Sequence, residues 1–346
     1  MQELGFGFIS AGAIAHFHAQ AVAQARGGRL IGVVSRRRAT AEAFAQQHGI
    51  AFAGDDVNEL LGQPGLDAVC ITTPSALHLE PALAAIRAGK HSMIEKPLDA
   101  TVEGTDRILE EARKAGVRVG SIFQARYGDG ARALKAAADA GRFGRMVLAS
   151  CYVKWNRSAE YYTGWKGKLS EDGGGALINQ AIHGVDLLQW FAGMPVEVFA
   201  WTTQRVHAIE SEDTCVAALK FGSGAFGTLE ASTALWPGFS RRIEICGENG
   251  SVVMEDDDIA RWEFRVPRPE DAQLRATRES GSMGSGAAAP MAIKFEGHLR
   301  QIQDFIDGIR DQRPFFIEGA EARKAVALVR AVYDSAASGK PVRPAT

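Results

Sequence analysis

The chain has 346 residues, 46% of them hydrophobic and 23% charged, and a formal net charge of -2. That length is long for one domain and comfortable for two. The near-neutral balance excludes the basic footprint of a nucleic-acid binder or of a protein held on an anionic membrane, and the run Arg36-Arg37-Arg38 is too short to change it. Cys70, Cys151, Cys215 and Cys246 lie far apart with no CxxC spacing, which argues against a zinc site or a disulfide framework and for reduced thiols in a cytoplasmic protein. Neither a signal segment nor an apolar run of membrane-spanning length is expected.

Taken in order, residues 4–9 read as a strand, 13–25 as a helix, 30–35 as a strand and 40–48 as a helix. The nearly continuous apolar run at 68–72 has the look of a strand covered on both faces. A helix at 77–88, a strand at 91–94, a helix at 102–115 and a strand at 117–122 follow. Strand–helix alternation at this spacing predicts βαβ units and a doubly wound parallel sheet, a Rossmann domain over 1–122. Beyond it the pattern changes. A helix at 130–140, a long strand at 145–154 and a helix at 175–192 lead into a strand-rich stretch: 196–206, 214–221, 225–232, 241–246 and 251–255. Phe221-Gly222-Ser223-Gly224 and Gly247-Glu248-Asn249-Gly250 read as hairpin turns. Several of these strands alternate polar and apolar residues, as in an antiparallel sheet with one open face. Residues 123–346 are therefore expected to form an α+β domain whose open sheet face serves as an oligomer interface. The Gly-, Ser- and Ala-rich segment 267–290 reads as a mobile loop, and 296–310 and 318–338 as closing helices.

The first strand runs into Ser10-Ala11-Gly12-Ala13-Ile14-Ala15, which matches G-x-G-x-x-G/A except that Ser10 takes the first glycine. Gly12 lets the backbone approach a pyrophosphate, Ala15 lets the helix sit close to the strand, and the helix N-terminus offers free N–H groups. At the end of the second strand stands Ser35-Arg36-Arg37-Arg38, with no carboxylate to meet a ribose hydroxyl, so the expected cofactor is NADP in preference to NAD. Thr72-Thr73-Pro74 and Glu95-Lys96-Pro97 follow later strands of the same sheet, at the carboxyl ends where ligands bind. Pro97 restricts the backbone of Lys96, whose ammonium could stabilise developing alkoxide charge.

A second cluster lies at Gly173-Gly174-Gly175, followed by Asn179, His183 and Asp186. Asn179 and His183 stand four apart, on one helical face. A histidine titrates near neutrality, as an acid/base for an alcohol must, and Asp186 is expected to orient the imidazole. His16, His18 and His207 have no informative spacing.

Together these pieces resemble the Gfo/Idh/MocA oxidoreductases (glucose-fructose oxidoreductase, inositol dehydrogenase and relatives). The matching segments are the Ser10–Ala15 turn, Thr72-Thr73-Pro74 with His78, Ala88-Gly89-Lys90-His91 leading to Glu95-Lys96-Pro97, Gly173 to Asp186, and the two closing helices. The resemblance implies that Lys96 and His183 are the catalytic pair. It places Ser10, Ala11, Gly12, Ala13, Ile14, Ser35, Arg36, Thr72, Thr73, Pro74, His78, Glu95, Lys96, Pro97 and Arg126 around the dinucleotide. The polar position four before the histidine is commonly aspartate in such proteins; here Asn179 would position a substrate hydroxyl without sharing charge. Trp165-Lys166-Gly167 resembles a Trp-Arg-Gly segment of a sugar-acting branch, so Trp165, Lys166 and Tyr162, with Tyr127 beyond the last Rossmann strand, are expected on the substrate. Arg126 is expected to reach the nicotinamide or the substrate. The resemblance also implies a homodimer or homotetramer. The implied function is NAD(P)-dependent hydride transfer at a secondary alcohol of a small polyhydroxylated substrate (a sugar, sugar derivative or cyclitol) with no metal. A non-catalytic dinucleotide sensor and a reductase of a non-sugar carbonyl or imine remain the alternatives.

Overall fold

The computed structural model describes residues 3–276 and 295–346. The chain divides into two compact units. The first runs to Gln124 and takes back Phe295–Arg323; the second starts at Ala125 and takes Lys324–Thr346. A single cut after residue 122 leaves that return out of the first unit.

The first unit is built on β1 (Leu4–Ile9), β2 (Gly28–Val34), β3 (Phe52–Gly54), β4 (Ala68–Ile71), β5 (His91–Ile94) and β6 (Val119–Ser121). All pair in parallel, in the order β3-β2-β1-β4-β5-β6. Its helices are α1 (Ala13–Gln24), α2 (Arg38–His48), α3 (Val57–Leu61), α4 (Leu79–Arg87) and α5 (Val102–Ala115). β3 and α3, of three and five residues, are too short to carry a period in the sequence. All four residues of β4 are buried, as strands covered on both faces must be.

α10 (Glu296–Arg310) completes this unit. Phe305 and Ile306 join Phe6, Phe8, Val22 and Val33 in one apolar core, with the Phe305 ring 6.0 Å from Phe6 and 5.2 Å from Phe315. Burying a phenylalanine this completely contributes about 2–3 kcal/mol. Gln301 on α10 accepts a hydrogen bond from the Phe123 amide (3.1 Å) and donates one to the Ser121 carbonyl (2.7 Å), which satisfies backbone at the end of β6.

The second unit carries a seven-stranded sheet of β7 (Met146–Lys154), β8 (Pro195–Thr203), β9 (Thr214–Phe221), β10 (Phe226–Ser232), β11 (Arg242–Gly247), β12 (Gly250–Glu255) and β13 (Asp258–Phe264). Their order is β13-β12-β11-β7-β10-β9-β8, antiparallel throughout except that β10 runs parallel to β7. Along β9 burial alternates strictly: Cys215, Ala217, Leu219 and Phe221 point inward, and Val216, Ala218 and Lys220 outward. The outward face keeps large apolar groups in water, among them Trp201 at 61% and Phe226 at 59% exposure.

α6 (Asp129–Asp139), the short α7 (Leu169–Asp172), α8 (Ile182–Ala192) and α9 (Asp271–Ala276) also belong to this unit, and α11 (Gly319–Ser338) ends in it. α8 lies against β7 at close range: a Cβ on Gly184 would sit 2.6 Å from the Cys151 sulfur. The expectation of one loop over 267–290 is corrected at its start. Residues of α9 are anchored by the buried Asp271 carboxylate, which bonds Arg142 (2.6 and 2.8 Å) and the Trp262 indole (2.6 Å). Residues 277–290 lie outside the described residues. Among those described, no helix is long and apolar enough to cross a membrane.

Candidate functional site

In the first unit the βα turn after β1 has the geometry of a dinucleotide cradle. Ser10 adopts φ +86°, a backbone state that glycine takes readily and serine seldom, so the missing first glycine is replaced at a strain of about 1 kcal/mol. The Ser10 amide bonds the Val34 carbonyl (2.9 Å), and the buried Thr72 hydroxyl donates to the carbonyls of Ser10 (3.0 Å) and Ile9 (3.2 Å). Thr72 therefore secures the turn from beneath. Ala11 is buried, while Gly12 and Ala13 are exposed and Ile14 is half-buried at the start of α1. Where Gly12 would carry a Cβ, the nearest atom is the Ser10 hydroxyl at 4.0 Å, so the space over the helix N-terminus is open to an anion. These features fit a dinucleotide. Ser35 is half-buried at the end of β2, and Arg36 beside it is exposed.

His78 is corrected from cofactor contact to brace. It is fully buried, with Nδ1 2.8 Å from the Pro97 carbonyl and Nε2 3.0 Å from the Thr73 carbonyl, and so ties together the loops after β4 and β5. Burial pushes its pKa down, against the pull of those carbonyls. Thr73 and Pro74 are half-buried and remain at the loop surface.

Glu95 faces inward. Its Oε1 lies 2.7 Å from His18 Nε2, and its Oε2 accepts the Lys96 backbone amide at 3.0 Å. The His298 ring stands edge-on to His18 at 5.2 Å. Burial pushes the Glu95 carboxyl up, but the His18 hydrogen bond and the nearby His18, Lys96 and His298 charges outweigh it and leave the group at about 2. A charged, buried Glu95 thus fixes the peptide of half-buried Lys96, whose bond to Pro97 is cis. His18, which had no informative spacing, is part of this brace; its partner is 77 residues away.

In the second unit the helix at 175–192 is two elements. A π-helical turn, Ala176–Ala181, precedes α8, so the uniform α-spacing from Asn179 to His183 does not hold. His183 is half-buried at the start of α8. Asp186, expected to orient His183, also has a distant partner. Both its oxygens accept from Arg126, at 2.7 and 2.6 Å, and both residues are buried. The Arg126 guanidinium, expected at the nicotinamide or substrate, also lies 5.0 Å from the Trp190 ring inside this unit. Tyr127 is only 2% exposed and lies under Arg132, which leaves little surface for a substrate.

Ahead of the π turn lies a polar network. Asn179 Nδ2 donates to the buried Asp172 carboxylate, whose other oxygen accepts the Gly167 amide at 2.8 Å. Asn179 Oδ1 accepts from Gln180 (2.7 Å), and Gln180 Oε1 accepts from Arg157 (2.7 Å). Lys166 lies 3.6 Å over the Tyr161 ring and 5.9 Å from that of Trp165, all half-buried. Tyr162 donates to Thr233 Oγ1 (2.7 Å) and faces His207, so its hydroxyl is already engaged. Asp172, Gln180 and Arg157 were missed, although Asp172 and Gln180 adjoin residues the reading had marked. Glu212 and Tyr333 had no local signal. Glu212 Oε1 accepts from the Leu177 amide (2.8 Å) and the Tyr333 hydroxyl (2.9 Å), and its carbonyl accepts the Ala176 amide (2.9 Å), which together seat the π turn. Burial raises the Glu212 carboxyl to about 7, against those hydrogen bonds.

Two family models match the chain. One, for an oxidoreductase family with an NAD-binding Rossmann fold, covers residues 4–123, and one for a GFO/IDH/MocA C-terminal domain covers 131–253. A 1,5-anhydro-D-fructose reductase of Ensifer adhaerens is 33% identical over 257 residues, covering 72% of this chain and 74% of that protein. A myo-inositol 2-dehydrogenase of Thermotoga maritima is 25% identical over 97% of both chains. The crystal structure of the WlbA dehydrogenase from Bordetella pertussis, in complex with NADH and UDP-GlcNAcA, superposes with a TM-score of 0.90. It is 31% identical and covers 100% of this chain and 99% of that one.

Glu212 makes stability depend on pH with a definite sign. Between about 4.5, the ordinary carboxyl value, and about 7, the folded chain holds a proton that the unfolded chain has lost. Stability is therefore complete below that window and falls as pH rises through it, by on the order of 3 kcal/mol. Glu212→Gln should flatten this slope in urea melts taken from pH 4 to 8; an unchanged slope would contradict the assignment.

Proposed function

Because the chain belongs to the GFO/IDH/MocA family of oxidoreductases, we propose that it interconverts a secondary alcohol and a ketone on a sugar, sugar derivative or cyclitol, using NAD(P). The nicotinamide supplies or accepts the hydride. The single observation that carries this reading is the inward-turned, charged Glu95, which fixes the Lys96 peptide at the carboxyl end of β5. Lys96 holds the reacting oxygen and stabilises negative charge on it as the alcohol proton leaves. His183, half-buried at the head of α8, takes or returns that proton. Asn179 meets a neighbouring hydroxyl, and Trp165 and Lys166 border the sugar.

UDP-GlcNAcA is the first substrate to test, since the WlbA relative holds it, followed by myo-inositol and 1,5-anhydro-D-fructose. Lys96→Ala and His183→Ala should each lower turnover by about 10²-fold or more, with dinucleotide affinity largely kept in His183→Ala. The check is nicotinamide absorbance with each substrate. Near-normal rates in both variants would remove the assignment, and no wild-type turnover of any of the three would favour a non-catalytic dinucleotide sensor.

The exposed Arg36 and the lack of a carboxylate in Ser35-Arg36-Arg37-Arg38 favour NADP, through a pair between guanidinium and 2′-phosphate. Calorimetry should find NADP bound more tightly than NAD, and Arg36→Ala should weaken NADP about 10-fold while sparing NAD. Tighter binding of NAD would overturn the preference.

The outward face of the second sheet fits a further copy of the chain in a cytoplasmic homodimer or homotetramer. Trp201 pairs across strands with Val216, and Leu148 with Phe226, all four exposed. Sedimentation should give a multiple of the 37.1 kDa chain mass, and Trp201→Glu should reduce it; a wild-type monomer at micromolar concentration would refute this.

A further inference from the structure

Aspartate at position 179 would carry a negative charge that asparagine lacks, yet the structure sets a carboxylate against that asparagine. Asp172 is 1% exposed and Asn179 is 7% exposed. Gly173, at φ +78°, ends α7 in a left-handed turn, and a Cβ on Gly175 would sit 1.8 Å from the Glu212 carbonyl. These glycines let the chain fold back so that Asp172 meets Asn179 seven residues later.

The contact fixes which way the carboxamide points. Only its N–H end can face a carboxylate, so Nδ2 lies toward Asp172 and Oδ1 toward the Gln180 donor. A carboxylate bonded to one end of an amide also polarises it and makes the oxygen a stronger acceptor. We propose that Asp172 is a positioning residue of the substrate site, lending through Asn179 the negative charge that an aspartate at 179 would bear directly. This rests on the reading that Asn179 meets a substrate hydroxyl. The oxygen it presents is then a charge-assisted acceptor, suited to orienting an alcohol that must keep its own oxygen directed at the reacting centre.

A structural anchor alone predicts something different. Asp172 also accepts the Gly167 amide, and loss of that bond would lower stability without changing the rate of folded enzyme. The test uses D172N, N179D and the exchange double variant D172N/N179D, assayed with UDP-GlcNAcA, or with myo-inositol or 1,5-anhydro-D-fructose if the wild type prefers either. D172N should lower kcat/KM about 10-fold, mostly through kcat, at unchanged dinucleotide affinity. N179D alone crowds two carboxylates together and should also be impaired. The double variant restores one carboxylate and one amide in contact, and should return kcat/KM to within about three-fold of wild type. The Asn179 side-chain amide protons should resonate downfield in wild type and move upfield in D172N, a readout independent of substrate. An unchanged kcat/KM in folded D172N, or a double variant no better than D172N, overturns the proposal. Absence of wild-type activity on all three substrates overturns instead the reading of function on which it rests.

Discussion

Buried carboxylates have to be satisfied where they stand, and this requirement organises both units. Glu95 is the clearest case. A charge with 7% exposure would cost several kcal/mol without partners, so it draws His18 from α1 and the Lys96 amide from its own loop into one arrangement. The loop after β5 cannot move without breaking that arrangement. His78 then couples the loop to the one after β4, and Thr72 couples that one to the turn after β1. Three segments at the carboxyl ends of a parallel sheet are thereby held in one register.

The second unit follows the same rule with different outcomes. Asp186 accepts from Arg126 through both oxygens, Asp172 accepts from Asn179 and the Gly167 amide, and Glu212 from the Leu177 amide and Tyr333. Glu95 and Glu212 are similarly buried and both accept hydrogen bonds, yet one carboxyl falls to about 2 and the other rises to about 7. The difference lies in the charge nearby. Glu95 has His18, Lys96 and His298 around it, whereas the partners of Glu212 are a neutral phenol and backbone amides. Dipoles offset part of a desolvation penalty; the His18 hydrogen bond, with the coulombic pull of the neighbouring imidazoles and the Lys96 ammonium, reverses it for Glu95.

Much of the fold was legible because its signals are local. β1, β5, β9, α5 and α10 begin and end where the periodicity placed them, and strand–helix alternation pointed to the parallel sheet. The short β3 and α3 fell below the length at which a period exists. β13 and α9 sit where composition is dominated by charge, and α9 depends on Asp271 meeting Arg142, 129 residues earlier. The site residues divide in the same way. Motif positions are legible from local spacing, but distant partners such as His18 for Glu95 leave no local signal. Asp186 stands three residues after His183, and spacing alone gave no sign of its pairing with Arg126, 60 residues before it. Sequence spacing identifies neighbours along a helix, and a buried ion pair is chosen by the fold.

Two substitutions relative to the motif show how far such identity can be exchanged. Serine in place of the first glycine keeps the turn because Thr72 and the Val34 carbonyl hold it there, so the backbone state survives the loss of the residue that favours it. Asparagine at 179 keeps a carboxylate within one hydrogen bond because Asp172 is folded back upon it. In both cases the property a motif encodes, a left-handed turn or a negative charge, belongs to a small network and not to the single position. A reader of sequence who scores the position alone records a departure in each case. The chemistry is judged better by whether the surrounding groups still require the same geometry, and here the buried donors and carboxylates require it.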